Sequence, residues 1–135
     1  MILVDSSVWI AYFNGAKTWQ TELLDDLLNR EPILIGDLIL TEVLQGFRLD
    51  KDFKKAREFM NSLQFCNMGG YNTAIKAAQN YRSLRKKGVT VRKTIDVIIG
   101  TYCIENKTLI LHDDQDFIPM KKHLGLKAVA PEHLH

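Results

Sequence analysis

The sequence has few of the residues that build thiolate sites or covalent cross-links. Its 135 residues include only two cysteines, Cys66 and Cys103, and their separation matches no metal-ligand spacing. Cys103 lies among apolar neighbours, so we expect two reduced, buried thiols rather than a disulfide. No cluster of histidine and cysteine competes for a soft metal ion. The composition therefore argues against a zinc-stabilised module and against a disulfide-rich secreted scaffold.

Long apolar runs are also missing. No run approaches the roughly 20 apolar residues that a membrane-spanning helix needs. The opening run, residues 2–4, lacks the length and the basic lead of a secretory signal. We therefore expect a cytoplasmic protein with no membrane association. A net charge of +2 says little about partners, so the positions of the charges matter more than their sum.

Short apolar segments alternate with helical patterns along the chain. Residues 2–4, 33–35 and 109–111 are uninterrupted apolar runs, typical of strands that are buried on both faces. Residues 65–68 form a weaker third strand, and residues 128–129 suggest a last edge strand. This alternation predicts an α/β fold with a mostly parallel sheet between helices. Because no linker or repeat interrupts the pattern, we expect a single domain over residues 1–135.

Polar residues mark the beginnings of the predicted helices. Thr18 is expected to cap a helix over residues 19–30, and Asp50 or Asp52 a helix that follows. Asn72 is expected to open the longest helix, and Thr94 to cap an almost wholly apolar helix that begins just before Asp96. The apolar character of that last helix predicts a central position in the fold.

Acidic residues follow or flank the predicted strands. Asp5 ends the first strand, Glu42 lies in the helix after the second, Asp96 lies in a first helical turn, and Asp114 and Asp116 follow the fourth strand. Right-handed crossovers bring the carboxyl ends of parallel strands to one edge, where α/β sheets place their sites. Each residue also has a structural explanation. Asp5 and Asp114 could be caps, Asp96 could favour the helix dipole, and Glu42 could be solvated.

Repulsion decides what a cluster of these acids would require. Two carboxylates about 6 Å apart repel by about 2–3 kcal/mol at an effective dielectric near 20. For four groups the sum is on the order of 15 kcal/mol, which rivals the stability of a whole domain, about 5–15 kcal/mol. Such a cluster needs cations, and all-oxygen ligands favour Mg²⁺ or Mn²⁺. The chemistry that these ions support is hydrolysis of phosphodiester bonds.

Four stretches carry a resemblance to a known family. The chain resembles the PIN-domain ribonucleases, and most closely the VapC-type toxins of bacterial and archaeal toxin–antitoxin pairs. The matching stretches are Ile2 to Ile10, Leu40 to Gly46, Val91 to Gly100 and Leu111 to Phe117. Each stretch alone is a weak motif, but their order and spacing cover essentially the whole chain.

The resemblance implies a three-layer PIN-like fold and a metal-dependent endoribonuclease. It implies four catalytic acidic residues and four metal ligands, three of which belong to both sets. It also implies a supporting role for Ser7, which orients the first aspartate or a water. Thr94 is implied as a helix-capping hydroxyl beside these acidic residues. Gly100 stands where the family commonly has alanine, which should affect helix packing more than chemistry. The implied catalytic residues are Asp5, Glu42, Asp96 and Asp114, and the implied metal ligands are Asp5, Asp96, Asp114 and Asp116.

Basic residues before the Asp96 helix fit a nucleic-acid substrate. Arg92 and Lys93 are adjacent to the acids in sequence and are predicted to contact RNA phosphates, and Arg85 and Lys86 extend this rim. A solvated helix end whose cations favour the dipole explains part of the same pattern. His112 is expected to pack or to form a hydrogen bond rather than to act as a base.

The resemblance also implies protein partners, namely a cognate VapB-like antitoxin and a second copy in a homodimer. An arginine of the antitoxin could form bidentate ion pairs with the carboxylates of such an acidic site. Apolar residues near the site could receive a partner helix or simply fill the core, and these are Trp19, Leu23, Leu27, Leu44 and Phe47.

Two other functions stay open. A catalytically silent PIN-like module could bind RNA or protein, and measuring metal binding would separate it from the nuclease. A phosphoryl-transfer α/β domain is the second alternative. A receiver would need a second acid near Asp5, and an Asp-x-Asp phosphatase would need an acid at position 7, which is Ser7.

Overall fold

One parallel sheet organises the chain. The computed structural model describes residues 1–133, and its four strands lie in the order β3-β2-β1-β4 with every neighbouring pair parallel. The strands are β1 (Ile2–Val4), β2 (Ile33–Gly36), β3 (Gln64–Cys66) and β4 (Leu109–Leu111). The α-helices are α1 (Ser6–Phe13), α2 (Trp19–Leu27), α3 (Asp37–Leu44), α4 (Asp50–Met60), α5 (Tyr71–Lys86), α6 (Thr94–Glu105) and α7 (Ile118–Leu124). Two 3₁₀ helices complete the list, η1 (Gln115–Phe117) and η2 (Pro131–His133).

The helices pack in two groups around the sheet. Helices α1, α2, α3 and α4 contact one another, and α5, α6 and α7 form a second contacting group. With right-handed crossovers, the strand order places these groups on opposite faces of the sheet. The predicted α/β fold with a parallel sheet between helices is therefore confirmed. No helix in residues 1–133 is long and apolar enough to cross a membrane.

The register between β1 and β4 positions the acidic residues that follow them. Val4 pairs with Leu111, and the backbone N–H of Asp5 donates to the carbonyl of Leu111 at 2.9 Å. Both strands consequently end at the same level of the sheet. Residues that leave β1 and β4 start side by side, although they are more than a hundred positions apart in sequence.

The structure shifts several predicted boundaries. The third strand covers 64–66 rather than 65–68, and the expected last strand is only an isolated bridge between Ala128 and Ile110. Leu49 precedes α4, where no side chain caps the helix, and Asp50 lies in its first turn. The longest helix begins at Tyr71 after Gly70, one residue before the predicted start. Ends such as these depend on local backbone geometry more than on residue type.

Other local predictions are confirmed. The hydroxyl of Thr18 accepts a hydrogen bond from the N–H of Thr21 and caps α2. Cys66 and Cys103 are both free thiols, and Cys103 is buried as expected, whereas Cys66 is only partly buried. Leu23 and Leu27 are buried in the core, so they are not available to a partner helix.

Gly100 is explained by the packing of α6 against α7. A Cβ atom added to Gly100 would lie 2.4 Å from the sulfur of Met120, which is itself fully buried. An alanine would force this methionine to move in a closely packed region. As expected, the effect of this glycine is on helix packing.

Candidate metal centre

Asp5 is held at the start of α1 by Ser7. One carboxylate oxygen, Oδ2, accepts hydrogen bonds from the backbone N–H of Ser7 at 3.0 Å and from its hydroxyl at 2.6 Å. The hydroxyl of Ser7 in turn accepts from the N–H of Asp113, which follows β4, at 3.0 Å. Asp5 is thus both an N-cap and a side chain with one oxygen left over, so the two explanations offered by the sequence are compatible.

Glu42 reaches Asp5 from α3. Its Oε1 accepts a 2.9 Å hydrogen bond from the hydroxyl of Ser6, the residue that follows Asp5. The sequence analysis gave Ser6 no role at the site, so this contact was missed. The signal was weak because a serine after a strand is common at helix starts whatever its side chain does.

Asp114 and Asp116 lie in the turn that follows β4. Asp114 precedes η1, and its Oδ1 accepts the N–H of Asp116 at 2.9 Å. Asp96 approaches from the first turn of α6. The central helix and the turn after β4 therefore meet at the edge where β1 ends.

These acidic residues form two overlapping groups. Within each group, one carboxylate oxygen per residue lies within 4.8 Å of the others. The Asp5 trio is Asp5, Glu42 and Asp96, and the Asp114 trio is Asp96, Asp114 and Asp116. At such distances a pair of ionised carboxylates repels by about 3 kcal/mol at an effective dielectric near 20.

The cluster is buried and incompletely satisfied. Asp5, Asp96 and Asp116 expose only 2%, 1% and 7% of their surface. Oδ1 of Asp5 and Oδ2 of both Asp96 and Asp116 are buried without a hydrogen-bond partner. Buried carboxylate oxygens normally have partners, so these atoms mark a place for a cation.

Cations of the chain itself contact the Asp114 trio. The ammonium of Lys93 lies 2.9 Å from Oδ2 of Asp114 and 3.4 Å from Oδ2 of Asp96. The guanidinium of Arg92 lies 3.5 Å from Oδ1 of Asp116 and 3.9 Å from Oδ1 of Asp114. The predicted basic rim thus begins within the acidic cluster, a contact that the sequence pattern did not reveal.

The carboxyl groups of the Asp5 trio resist ionisation. Burial raises the pKa of Asp5 and outweighs the hydrogen bonds from Ser7, which act to lower it. Burial likewise raises the pKa of Glu42, and nearby Asp5 adds to the effect. Burial, with help from the side chain of Asp116, raises the pKa of Asp96 to about 7. Without a bound cation, these carboxyl groups therefore keep their protons to higher pH than exposed carboxyl groups do.

Asp114 behaves in the opposite way. Burial alone would raise its pKa, but the N–H of Asp116 and the ammonium of Lys93 stabilise the carboxylate and bring the pKa below the usual value. The same hydrogen bond raises the pKa of Lys93. The Asp114 trio therefore already contains a fixed carboxylate–ammonium pair.

The other predicted residues lie around the cluster. Thr94 is the first residue of α6, and Lys93 occupies the capping position without a side-chain hydrogen bond to the helix start, so the predicted capping role of Thr94 is wrong. Thr94 instead lines a cavity of about 420 Å³ between α5 and α6. Arg85 lies at the end of α5 with its guanidinium carbon 5.7 Å from the ring centroid of Tyr81, and Lys86 next to it is exposed.

His112 packs beside the site. Its ring centroid lies 5.0 Å from that of Phe117, and its Nδ1 accepts the N–H of Asp114 at 3.2 Å. Burial lowers the pKa of His112, which favours the neutral ring that can accept this hydrogen bond. The expectation of a packed, hydrogen-bonding histidine is confirmed.

Comparison with known proteins decides the family. The family model described as PIN domain matches residues 2–122. This chain belongs to the PIN domain family. The VapC ribonuclease Mb1587 of Mycobacterium bovis is 30% identical to it over 132 residues, covering 96% of this chain and 98% of that protein.

Solved structures share the fold of this PIN domain. VapBC2 from Rickettsia felis, crystallised with a DNA fragment from its promoter, matches with a TM-score of 0.75 at 16% identity, over 96% of this chain and 98% of the other. FitAcB from Neisseria gonorrhoeae matches with a TM-score of 0.75 at 15% identity, over 99% of this chain and all of the other. At these identities the likeness supports the fold alone.

Proposed function

We propose that this PIN domain is a metal-dependent endoribonuclease and the toxin of a VapBC-like toxin–antitoxin pair. The observation that carries the proposal is the acidic cluster, whose buried oxygens on Asp5, Asp96 and Asp116 have no hydrogen-bond partner. The curated relative named a VapC ribonuclease, which aligns with nearly the whole chain, supports ribonuclease activity and the toxin assignment. We further propose that residues 1–135 act as one domain and that the protein works in the cytoplasm, in keeping with its free cysteines.

Mg²⁺ or Mn²⁺ is the ion that these ligands fit. All the donors are carboxylate oxygens, which are hard ligands, and no histidine or cysteine belongs to either trio. When bound, such an ion lowers the pKa of a water and stabilises the charge that develops on a phosphodiester. We propose Asp5, Asp96, Asp114 and Asp116 as metal ligands, since each trio could hold an ion, and Glu42 as a further catalytic carboxylate.

The chain's own residues prepare the site. Ser7 fixes one oxygen of Asp5 and leaves the other oxygen free, since both hydrogen bonds from Ser7 go to Oδ2. Ser6 holds Glu42 close to Asp5, where its raised pKa suits a group that accepts or delivers a proton. Serine hydroxyls that hold carboxylates in this way reduce the cost of ordering them when substrate arrives.

The test is cleavage of a structured RNA by the purified chain with Mg²⁺, with Mn²⁺ and with excess chelator. We expect cleavage only with a metal ion and none from Asp5→Asn. Full activity in chelator would contradict metal dependence. A chain that binds Mn²⁺ but cleaves no RNA would favour the silent binding module instead. RNA sequencing after induced expression would then identify the cleaved sites.

We also propose a VapB-like antitoxin and a homodimer as partners. The matching structures include a VapBC complex, and the exposed apolar residues Ile10, Leu49 and Phe53 offer surface for a helix. An arginine from the antitoxin would pair with the Asp5 trio, where Asp5 has no cation of its own within ion-pair distance among the described residues. If a small protein is encoded immediately upstream, co-expression with it should give co-purification and loss of cleavage, and replacing that protein's arginine should restore cleavage.

A further inference from the structure

The two trios differ in the positive charge that the chain supplies to them. Both Lys93 and Arg92 contact Asp114, and Lys93 also reaches Asp96 while Arg92 reaches Asp116. Within residues 1–133, the recorded ion pairs include none to Asp5 or Glu42, which are held only by serine hydroxyls and a backbone N–H. The chain's positive charge is therefore paired with Asp114, with Asp116 and with the shared Asp96, whereas no cation of residues 1–133 lies within ion-pair distance of Asp5 or Glu42.

Lys93 is held in this place by the fold. It is the residue before α6 and lies three positions before Asp96, so its backbone is fixed beside the helix start. Its ammonium contacts Asp114 and Asp96 together, although nearly half of the side chain, 46%, is exposed. A divalent ion bound by the Asp114 trio would have to share these oxygens with an ammonium or displace it.

The unpartnered oxygens lie in both trios, since Oδ2 of Asp116 has no hydrogen-bond partner either, but Asp116 has the guanidinium of Arg92 3.5 Å from its Oδ1. Oδ1 of Asp5 is buried, has no hydrogen-bond partner and belongs to a residue with no ion pair among residues 1–133. Oδ1 of Asp114, in contrast, accepts the N–H of Asp116, and its Oδ2 accepts from Lys93. Asp114 is thus satisfied by the chain, whereas Asp5 lacks a ligand for one oxygen.

We propose that Lys93, assisted by Arg92, occupies the position of a second cation, so that this chain binds one divalent ion, at the Asp5 trio. The proposal rests on the metal dependence put forward above. Nucleases with two ions use the second to stabilise charge on the scissile phosphate, and the ammonium of Lys93 supplies fixed positive charge in that place. Lys93 would then act within the site rather than as one member of a basic rim.

The experiment counts bound Mn²⁺ per chain in the full-length, metal-free protein, by calorimetry and by the paramagnetic resonance signal of free Mn²⁺. We expect one ion in the natural chain and in Lys93→Arg, which keeps the charge. We expect two ions in Lys93→Ala and in the double variant Arg92→Ala/Lys93→Ala. The exposed lysine of α4, Lys54, provides the matched control Lys54→Ala, which should bind one ion. Thermal unfolding of each variant checks that the fold is intact, and Lys93→Gln replaces the alanine variant if that one does not fold.

Each result has a defined meaning. Two ions in the natural chain would overturn the proposal and leave the nuclease assignment standing. One ion in the double variant would also overturn it, since the lysine would then not exclude the second ion. No Mn²⁺ binding in any variant would instead contradict the metal dependence on which the proposal rests.

Discussion

The two halves of the acidic cluster solve the same electrostatic problem in different ways. In the Asp114 trio, Lys93, Arg92 and a backbone N–H stabilise ionised carboxylates, and the pKa of Asp114 is lowered. In the Asp5 trio, serine hydroxyls orient the acids without neutralising them, and the pKa values of Asp5 and Glu42 are raised. Burial raises the pKa of a carboxyl group unless hydrogen bonds and a nearby cation together outweigh it, as they do at Asp114. At Asp96 burial wins, since its pKa is raised although Lys93 lies 3.4 Å away.

This difference assigns separate tasks to the two halves. A carboxylate that lacks a cation is ready to bind one from solution, and the loss of its protons is coupled to that binding. A carboxylate already paired with an ammonium, as Asp114 is with Lys93, is a charged group whose position is fixed before metal or substrate binds. Shared by both trios, Asp96 connects the two tasks.

The largest effect is expected from removing a carboxylate of the Asp5 trio. Asp5→Asn should reduce RNA cleavage by more than about 100-fold, the upper range for losing only an outer-shell partner of a metal. The fold should survive, because asparagine can still accept from the N–H of Ser7 and cap α1. Cleavage rates with Mn²⁺ measure the loss of activity, and thermal unfolding without metal shows whether the fold survives.

The matched control for this variant is Asp113→Asn. Asp113 is exposed and adjacent to the cluster in sequence, but it belongs to neither trio. Its replacement should leave cleavage nearly unchanged. An equal loss in both variants would mean that overall negative charge, rather than the Asp5 trio, matters.

The next effect concerns the serine that orients Asp5. Ser7→Ala removes the 2.6 Å hydrogen bond to Asp5 and the acceptor for the N–H of Asp113. Loss of such an outer-shell partner lowers metal affinity or activity by about 10- to 100-fold. Calorimetry with Mn²⁺ should therefore show weaker binding with an unchanged number of sites.

Ser62→Ala is the control for that measurement. The hydroxyl of Ser62 donates to the carbonyl of Phe59 at the end of α4, in an exposed position. Its replacement should not alter Mn²⁺ affinity. If Ser7→Ala also left affinity unchanged, the serine would be a capping residue only.

A smaller effect is expected on stability as pH changes. The pKa of Asp96 is raised from 3.8 to about 7 in the folded state, so between these values the folded chain binds more protons than the unfolded chain. Stability of the metal-free protein should therefore fall as pH rises through this range and level off above it. Asp114, whose pKa is lowered, acts in the opposite direction but only near and below its usual range.

Metal should reverse that trend. Mg²⁺ or Mn²⁺ binds the ionised carboxylates, so the increase in Tm that it causes should grow as pH rises. In Asp96→Asn both the pH dependence without metal and the response to metal should flatten. A metal-free Tm that rises steadily between pH 5 and 7 would contradict the raised pKa of Asp96.

The smallest effect separates Lys93 from the exposed cations of α5. If Arg85 and Lys86 contact RNA phosphates, replacing both with alanine should reduce the log–log salt slope of binding by about 1–2 units. Lys93→Ala should change the slope by less than about one unit, because its ammonium is paired with Asp114 within the cluster and faces at most the single scissile phosphate. RNA binding to an Asp5→Asn background at several salt concentrations measures this without cleavage.

If Lys93→Ala changed the salt slope as much as the double variant of Arg85 and Lys86, Lys93 would be an RNA-binding residue of the basic rim, as its sequence position suggested. An unchanged slope in the Arg85 and Lys86 double variant would assign those residues to the solvated end of α5. The main interaction of the Arg85 guanidinium would then be its contact with the ring of Tyr81.

The sequence by itself determined the order of elements and the identity of the acids. Three apolar residues followed by Asp5, and three more followed closely by Asp114, are enough to predict strands whose ends carry carboxylates. The parallel arrangement follows because helical segments separate the strands, and right-handed crossovers then bring those ends to one edge. These inferences depend on local pattern and on general topology, so one sequence suffices for them.

Only the tertiary structure decided how the acids divide. The hydrogen bond from Ser6 to Glu42 and the pairing of Lys93 with Asp114 join residues 36 and 21 positions apart, and no periodicity in the chain signals such contacts. The capping role expected of Thr94 failed because the backbone before α6 places Lys93 at the cap, and this same placement brings the ammonium to the acids. Burial, which sets the direction of each pKa, exists only once the helices cover the sheet edge.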